Sequence, residues 1–243
     1  MKPIYKPKAR AKEYGDLAIN IYTGCPHKCY YCFAPQVLHK DREAFHYIVE
    51  PRKGIVDAVK NQLDKECING KLIHLCFTCD PYPHGLDNSV TREIIKSIKE
   101  TGNHVQILTK SIDAVRDFDL LDSEDWFGVT ISCNTPMATK TEPNASNPFS
   151  RLLVLQKAHD LGVKTWLSCE PVLETEAIYK LITDYGDAYD KIKIGKLNYH
   201  PSNINWGKFG RECERLCIEH KRNYYIKDDL RLAMSEEVSN GQS

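Results

Sequence analysis

Apolar positions along this chain recur in two rhythms that take turns. Short β-rich runs, "LAINIYTG", "KLIHLCFT", "HVQILTK", "WFGVTISC", "VKTWLSCEP" and "KIKIGKLN", read as strands. Between them the spacing is helical. "GIVDAVKNQLDKEC" puts Ile55, Val59 and Leu63 on one face, "SVTREIIKSIKETG" closes on Gly102, and "NPFSRLLVLQKAHDLG" closes on Gly162. A short helix through Val115 and Leu120, the segment "ETEAIYKLITDYG" and a helix around residues 206–220 complete the helical set, and "NYYIKD" offers a last strand. Strand-then-helix repetition predicts a parallel sheet of right-handed crossover units. Six units instead of eight predict an open, partial (β/α)6 TIM-like barrel, although a doubly wound sheet shares the same pattern. No internal linker interrupts residues 17–230, which read as one domain after a basic arm (1–16) and before a polar tail (231–243) expected to lack order.

The residues that follow each strand are polar or thiol-bearing. Cys25, Cys29 and Cys32 come after the first, Cys79 and Asp80 after the second, and Lys110 after the third. Ser132, Cys133 and Asn134 follow the fourth, Cys169 and Glu170 the fifth, Lys196 and Asn198 the sixth, and Lys227 the last. In barrel-like parallel folds the site collects at the carboxyl ends of the strands, so the cysteine loop falls on the expected functional rim.

Charge narrows the field. Lys+Arg and Asp+Glu both number 33, giving zero formal net charge, so a strongly basic nucleic-acid binder is not indicated. Only the arm is locally basic (Lys2, Lys6, Lys8, Arg10, Lys12), and it reads first as a solvated segment. No apolar run reaches membrane-spanning length, and the start lacks a signal peptide's apolar stretch, so a cytoplasmic protein is expected. In a reducing compartment, ten cysteines point to metal or redox chemistry instead of disulfides.

"YTGCPHKCYYCFAP" concentrates that chemistry. At this composition three cysteines in this spacing arise by chance roughly 0.02 times per chain, and roughly 0.002 times with an aromatic before the last. Thiolates are soft ligands for zinc and iron–sulfur clusters. A closed zinc site needs four ligands, and Cys29 and Cys32 could be joined by Cys76 and Cys79. Those two sit in or beside a strand, where a separation of three sends side chains to opposite faces, which disfavours that set. Three ligands on a four-iron cubane leave one iron open.

Cys-x3-Cys-x-aromatic-Cys after a first strand resembles the signature of the radical S-adenosylmethionine (radical SAM) superfamily. "INIYTGCPHKCYYCFAP", "FTCDPYP", "LTKS", "TISCNT", "TEPNASNPFSRL", "LSCEPV" and "IGKLNY" are similar to successive strand-end motifs of its spore photoproduct lyase-like, or DNA repair photolyase-like, branch. The resemblance implies a 4Fe–4S cluster on Cys25, Cys29 and Cys32 whose open iron chelates SAM. Reductive cleavage then yields a 5′-deoxyadenosyl radical that abstracts hydrogen from a substrate. It also implies an electron donor such as flavodoxin or ferredoxin.

By the same resemblance, Lys110 and Ser132 are candidates for the methionyl and ribose contacts, and Arg151 for the SAM carboxylate. Asp80 stands in "CDPYP" where many relatives carry Gly-Gly-Glu and is a candidate for the amine. Adenine is expected against Tyr31, Phe33 and Gly195, and Glu170 is a candidate hydroxyl partner for substrate or SAM, or else the first-turn carboxylate of the next helix. Cys79, Cys133 or Cys169 could return a hydrogen atom to a product radical. Cys213 and Cys217, one turn apart on a helix, read as core. The branch suggests a nucleic-acid base as substrate, with a peptide or small molecule open. A zinc- or cluster-bearing interaction module is the non-enzymatic alternative.

Overall fold

The computed structural model describes residues 2–240. Seven strands, β1 (Leu17–Ile19), β2 (Leu72–Leu75), β3 (His104–Thr109), β4 (Trp126–Thr130), β5 (Lys164–Cys169), β6 (Lys191–Ile194) and β7 (Tyr224–Ile226), form one sheet. All pairings are parallel and the spatial order is the chain order. A doubly wound sheet would reverse its order part-way. Sequential winding with β1 and β7 at the two edges is an open barrel of the TIM-like type, with one strand beyond the six expected units.

Period-two alternation divides the strands into two faces. Ile73, Val105, Phe127, Leu167, Ile192 and Ile226 pack outward in the main core. They meet α3 (Ile55–Lys65), α4 (Ser89–Glu100), α6 (Pro148–Asp160), α7 (Thr175–Asp184) and α8 (Trp206–Glu219) through residues such as Val59, Leu63, Ile94, Ile98, Leu155, Ile182 and Phe209. The expected face of Ile55, Val59 and Leu63 is the buried one. Between β3 and β4 the segment Ile112–Leu120 is a 3₁₀ helix. Short helices α1 (Ala34–Val37), α2 (Arg42–Tyr47) and α5 (Thr135–Thr141) add to the sequence reading.

The inner face is unusually polar. His74, Gln106, Thr130, Ser168 and Lys193 occupy it, with Trp166 the largest side chain. Gly128 is required opposite that indole, because a Cβ there would lie 2.3 Å from Trp166 Nε1. Lys193 makes no ion pair among the described residues and rests over the rings of Trp166 (4.3 Å) and Tyr14 (4.9 Å). Burial, together with the Lys191 and Lys227 charges, lowers its ammonium to about 8.

The two ends of the chain correct the sequence reading. The arm is built into the fold. Tyr5 exchanges two 2.9 Å backbone hydrogen bonds with Ala18, and the Gln62 amide grips both backbone groups of Ile4 at 2.9 Å. A 3₁₀ turn, Ala9–Glu13, then carries Tyr14 into the barrel, where its ring meets His74, Phe77 and Trp166 at 5.4–5.7 Å. Its hydroxyl donates to Glu170 (2.9 Å), while Lys227 reaches Glu13 (3.1 Å) and Arg10 lies 3.5 Å from Asp229. The arm thus occupies the lateral gap between β1 and β7. At the other end, Asp228–Asn240 is a helix, α9, where a polar tail without order was expected; its Leu230 and Met234 are buried against α8. The last three residues of that tail lie outside the described residues.

His74 supplies a pH test. It is 1% exposed, stacked on Phe77 at 4.3 Å, and its Nδ1 has no hydrogen-bond partner among the described residues. Burial, aided by the Lys193 charge, lowers its pKa from 6.5 to about 3. Below the unfolded value the unfolded chain binds a proton that the folded chain refuses, so this contribution is complete above that value and is lost as pH falls toward the folded one. Urea unfolding should show about 2 kcal/mol of acid destabilisation between about pH 7.5 and pH 5 that a His74→Phe variant lacks. Equal pH slopes in the two proteins would contradict the assignment.

Candidate metal centre and cofactor site

The cysteine loop has no regular structure of its own until α1, and it is held from outside. Asp41 caps α2 by accepting from Ala44 N at 2.8 Å, which aims Arg42 at the loop. The Arg42 guanidinium donates to the carbonyls of Cys29 (2.6 Å), Tyr30 (2.7 Å) and Cys32 (3.0 Å). Gly24 permits the approach of α2, since a Cβ there would lie 2.2 Å from Phe45 O. His46 Nδ1 bonds the Cys25 carbonyl at 2.8 Å, and Asn144 Nδ2 donates to Pro26 O at 2.9 Å.

Two buried carboxylates tie the loop to the strand ends. Asp80 accepts from Tyr82 N (2.8 Å), Thr109 Oγ1 (2.6 Å) and Lys110 N (2.9 Å), and lies 3.5 Å from His27 Nδ1. His27 Nε2 accepts from His84 N at 3.1 Å, so the ring proton sits on Nδ1, toward Asp80. Glu142, 2% exposed, accepts from the Tyr31 hydroxyl and pairs with Arg151. Burial alone would raise its carboxyl; the Arg151 and Lys110 charges outweigh that and hold it below the ordinary value. The Tyr31 hydroxyl also lies 3.2 Å from Ser132 Oγ.

The expected cofactor residues therefore fare differently. Lys110 is half-buried, lies over the Tyr31 ring at 5.6 Å, and its ammonium has no anionic partner among the described residues. Ser132 is beside it through Tyr31. Arg151 was expected at the SAM carboxylate, but it is 1% exposed and every guanidinium nitrogen is engaged, with Ser146 O (2.6 Å), Thr130 O (2.7 Å) and Glu142. It braces the core of the rim. Asp80 likewise spends both oxygens on the protein. Glu170 is held by Tyr14 and Lys227, and Gly195 makes room for that pair: a Cβ would meet both side chains at 3.0 Å. Of the adenine trio, Tyr31 is buried and packs with Leu197, two residues after Gly195, while Phe33 is 44% exposed. His27, read from the sequence as a hydrogen-bonding member of the loop, is one; the sequence reading missed Arg42 and Glu142 as loop supports, and the only signal was their nearness in sequence to the cysteine and "TEPNASNP" motifs.

The candidate hydrogen donors also separate. Cys169 is fully buried on the outer face beside Cys213 and Cys217, Cys133 is 1% exposed, and Cys79 is half-buried. Cys76 and Cys79 do not point to opposite faces as expected. The strand stops at Leu75, Cys76 takes a φ of +69°, and the two sulfurs accept from consecutive backbone N–H groups, those of Ile21 and Tyr22.

The donor set suits a soft metal cluster. Cys25, Cys29 and Cys32 are free thiols. The backbone of His27 and of Ala34 favours the ionised sulfurs of Cys25 and Cys32 respectively. Burial pushes all three thiols up, Cys29 to about 12, so each stays neutral until a cation displaces its proton. A lone ion draws its ligand atoms close together. Among the described residues the only triad within 4.8 Å is His104, Asp122 and Asp125, already spanned by the Lys99 ammonium. Three loop thiols without a fourth ligand suit a cluster that keeps one iron open better than a closed zinc site.

Known proteins agree with this geometry. A model of the radical SAM superfamily matches residues 19–173, and the chain belongs to that superfamily. Its cofactors are a 4Fe–4S cluster and SAM. The chain is 30% identical over 202 residues to the uncharacterised protein ORF301 of Acidianus two-tailed virus, covering 72% of this chain and 66% of that one. It is 28% identical over 181 residues to the uncharacterised protein MJ0683 of Methanocaldococcus jannaschii, covering 71% and 65% respectively. The matched region thus spans slightly under two thirds of these relatives' lengths. Among solved structures, spore photoproduct lyase complexed with dinucleoside spore photoproduct superposes with a TM-score of 0.68 at 15% identity, over 91% of this chain and 78% of that one. Streptococcus suis SuiB bound to precursor peptide SuiA gives 0.65 at 13% identity, over 93% and 53%. At these identities the likeness is one of fold. No helix among the described residues is long and apolar enough to cross a membrane.

Arg42 gives this site its own test. Arg42→Ala removes the donors to three loop carbonyls and should lower the iron retained per chain after anaerobic reconstitution and gel filtration at least two-fold, with helical circular dichroism unchanged. Full iron retention would show that the loop holds its shape without α2.

Proposed function

We propose that this chain is a radical SAM enzyme acting on a nucleobase presented by a single-stranded or locally opened nucleic acid. The observation that carries the enzymatic part is the conjunction of three pinned, unbridged cysteines with the Lys110 ammonium, which has no ion pair among the described residues, at the same barrel mouth. When bound, the cluster and SAM supply a 5′-deoxyadenosyl radical by one-electron reduction, the electron coming from a donor of the flavodoxin or ferredoxin class. Cys25, Cys29 and Cys32 would hold the cluster. Lys110 would receive the SAM carboxylate, with Ser132 and the Tyr31 hydroxyl positioned for the ribose. Leu197, Leu173 and Trp206 pack around Cys29 and Tyr31 and would keep bulk water from the cluster side of the mouth.

The substrate class rests on the rim. Tyr30 (42% exposed), Phe33 (44%) and Tyr199 (74%) stand open around the mouth. His200 lies against Tyr30 at 4.9 Å and Arg10 against Tyr199 at 5.9 Å. Lys196 adds a cation with no ion pair among the described residues. Aromatic faces interleaved with cations suit stacked bases and phosphates, and they do so locally, without a basic chain overall. SuiB, which shares the fold, was solved bound to a precursor peptide, and this keeps a peptide as the second substrate to test.

Anaerobic protein with titanium citrate or a reduced flavodoxin should release 5′-deoxyadenosine from SAM. Replacing Cys25, Cys29 or Cys32 by Ala should abolish both cluster and cleavage, while Cys76→Ala should retain the cluster. A single-stranded oligonucleotide, deuterated at its base or sugar, should raise the yield and pass deuterium into deoxyadenosine, and a peptide of similar length should not. Stimulation by peptide alone would transfer the reading to a peptide substrate.

Lys110→Ala should weaken SAM binding by roughly ten- to hundred-fold, the loss of a charge-assisted contact worth about 1.5–3 kcal/mol, with iron content intact. Unchanged SAM affinity by equilibrium dialysis would move the carboxylate site elsewhere on the rim.

A further inference from the structure

Cys76 and Cys79 form a Cys-Phe-Thr-Cys turn at the end of β2, outside the cluster loop, and the proposed chemistry has no use for them as a pair. Their surroundings are unlike those of the other cysteines. Ile21 N donates to Cys76 Sγ at 3.5 Å and Tyr22 N to Cys79 Sγ at 3.4 Å. Donors on adjacent residues thus bring the two sulfurs to one place, an arrangement that the positive φ of Cys76 makes possible. Cys76 is 5% exposed, whereas Cys79 is half-buried at the edge of the core. Arg52 lends its positive charge to Cys79, and its Nε is buried with no hydrogen-bond partner.

These contacts distinguish the two thiols. Burial and the neighbouring Cys79 sulfur push the Cys76 thiol up. Burial would also raise Cys79, but the Cys76 thiol, the backbone donors and Arg52 outweigh it and bring Cys79 below its ordinary value. A sulfur that ionises readily beside a protonated partner is the arrangement that attacks and then resolves in thiol–disulfide exchange. Cys169, Cys213 and Cys217 are fully buried and only raised, and the exposed Cys67 stands alone.

We propose that Cys76 and Cys79 are a reversible dithiol–disulfide site that exchanges with low-molecular-weight disulfides. The Cys79 thiolate attacks one sulfur of the small disulfide, forming a mixed disulfide and releasing one thiolate. Cys76 then loses its proton and attacks the Cys79 sulfur, forming the internal disulfide and expelling the second thiolate. The pair gives up two electrons and two protons, and the small disulfide becomes two thiols. Ile21 and Tyr22, which donate to these sulfurs, lead directly into the cluster loop, so the oxidation state of the pair is felt where that loop begins.

The test uses the intact protein with its cluster, under nitrogen, equilibrated with glutathione and glutathione disulfide in graded ratios. Samples are quenched in acid, alkylated with N-ethylmaleimide, digested with trypsin and weighed, and iron is measured in parallel. The peptide of residues 72–92, which holds both thiols, should become about 2 Da lighter than its doubly reduced form as the ratio turns oxidising and escape alkylation. Dithiothreitol should reverse the change, and iron content should stay constant over the transition. Cys76→Ser should arrest the exchange as a glutathione adduct on Cys79, and Cys79→Ser should leave Cys76 unmodified. Absence of the light peptide in glutathione disulfide alone would overturn the proposal. So would its appearance only after iron is lost, or adduct formation on Cys76 in preference to Cys79.

Discussion

A loop that must present three thiols without a strand or helix beneath it depends on contacts from elsewhere, and here two buried carboxylates supply the decisive ones. Asp80 fastens the front of the loop through His27 and, by accepting Lys110 N and Thr109 Oγ1, ties it to the end of β3. Glu142 fastens the back through Tyr31 and is neutralised by Arg151, which also holds the end of β4 through Thr130 O. A buried carboxylate is tolerable only where such partners are complete. Arg151 and Asp80, which looked like ligand contacts, are thus committed to the protein, whereas Lys110 keeps an ammonium at the mouth with no ion pair among the described residues.

Barrel closure follows a second principle. With β1 and β7 unpaired to each other, the sheet has a lateral gap, and an open edge invites foreign strands. Tyr5 covers part of the β1 edge by its bridge to Ala18, and Tyr14 fills the interior between His74 and Trp166. Lys227 then joins the arm to the rim. Burial alone would lower its ammonium; the neighbouring Tyr14, Glu170 and Glu13 raise it instead. The inner face can be polar because aromatic rings, and not anions, hold Lys193.

Much of this was legible in the chain. The alternation of strand and helix spacing, the outward face of Ile55, Val59 and Leu63, and the placing of polar residues after each strand all follow from local periodicity. The compact cysteine spacing is local too, and it led to the superfamily. What escaped were pairings between distant residues. Arg151 reads as a free helix cation until Glu142 is brought against it, and Asp80 reads as a ligand until Thr109 and His27 fill its oxygens. The basic arm looked solvated because its anchors, Tyr5 and Tyr14, are outnumbered by lysines, and their partners lie up to the far end of the chain. Cys76 and Cys79 were assigned to opposite faces by strand geometry, which ends one residue too early to apply.

The bond between Lys227 and Tyr14 spans 213 positions, nearly the whole polypeptide. Such a contact imposes an order of events on folding. The strands from β1 onward can pair with their sequence neighbours as they emerge, each crossover closing a short loop. The seam between arm and rim must wait until the last strand exists, and it carries the largest loop-closure entropy in the molecule. Until then the aromatic and cationic lining of the inner face stays open to solvent and to other chains, which makes the final seam the step most exposed to misassembly.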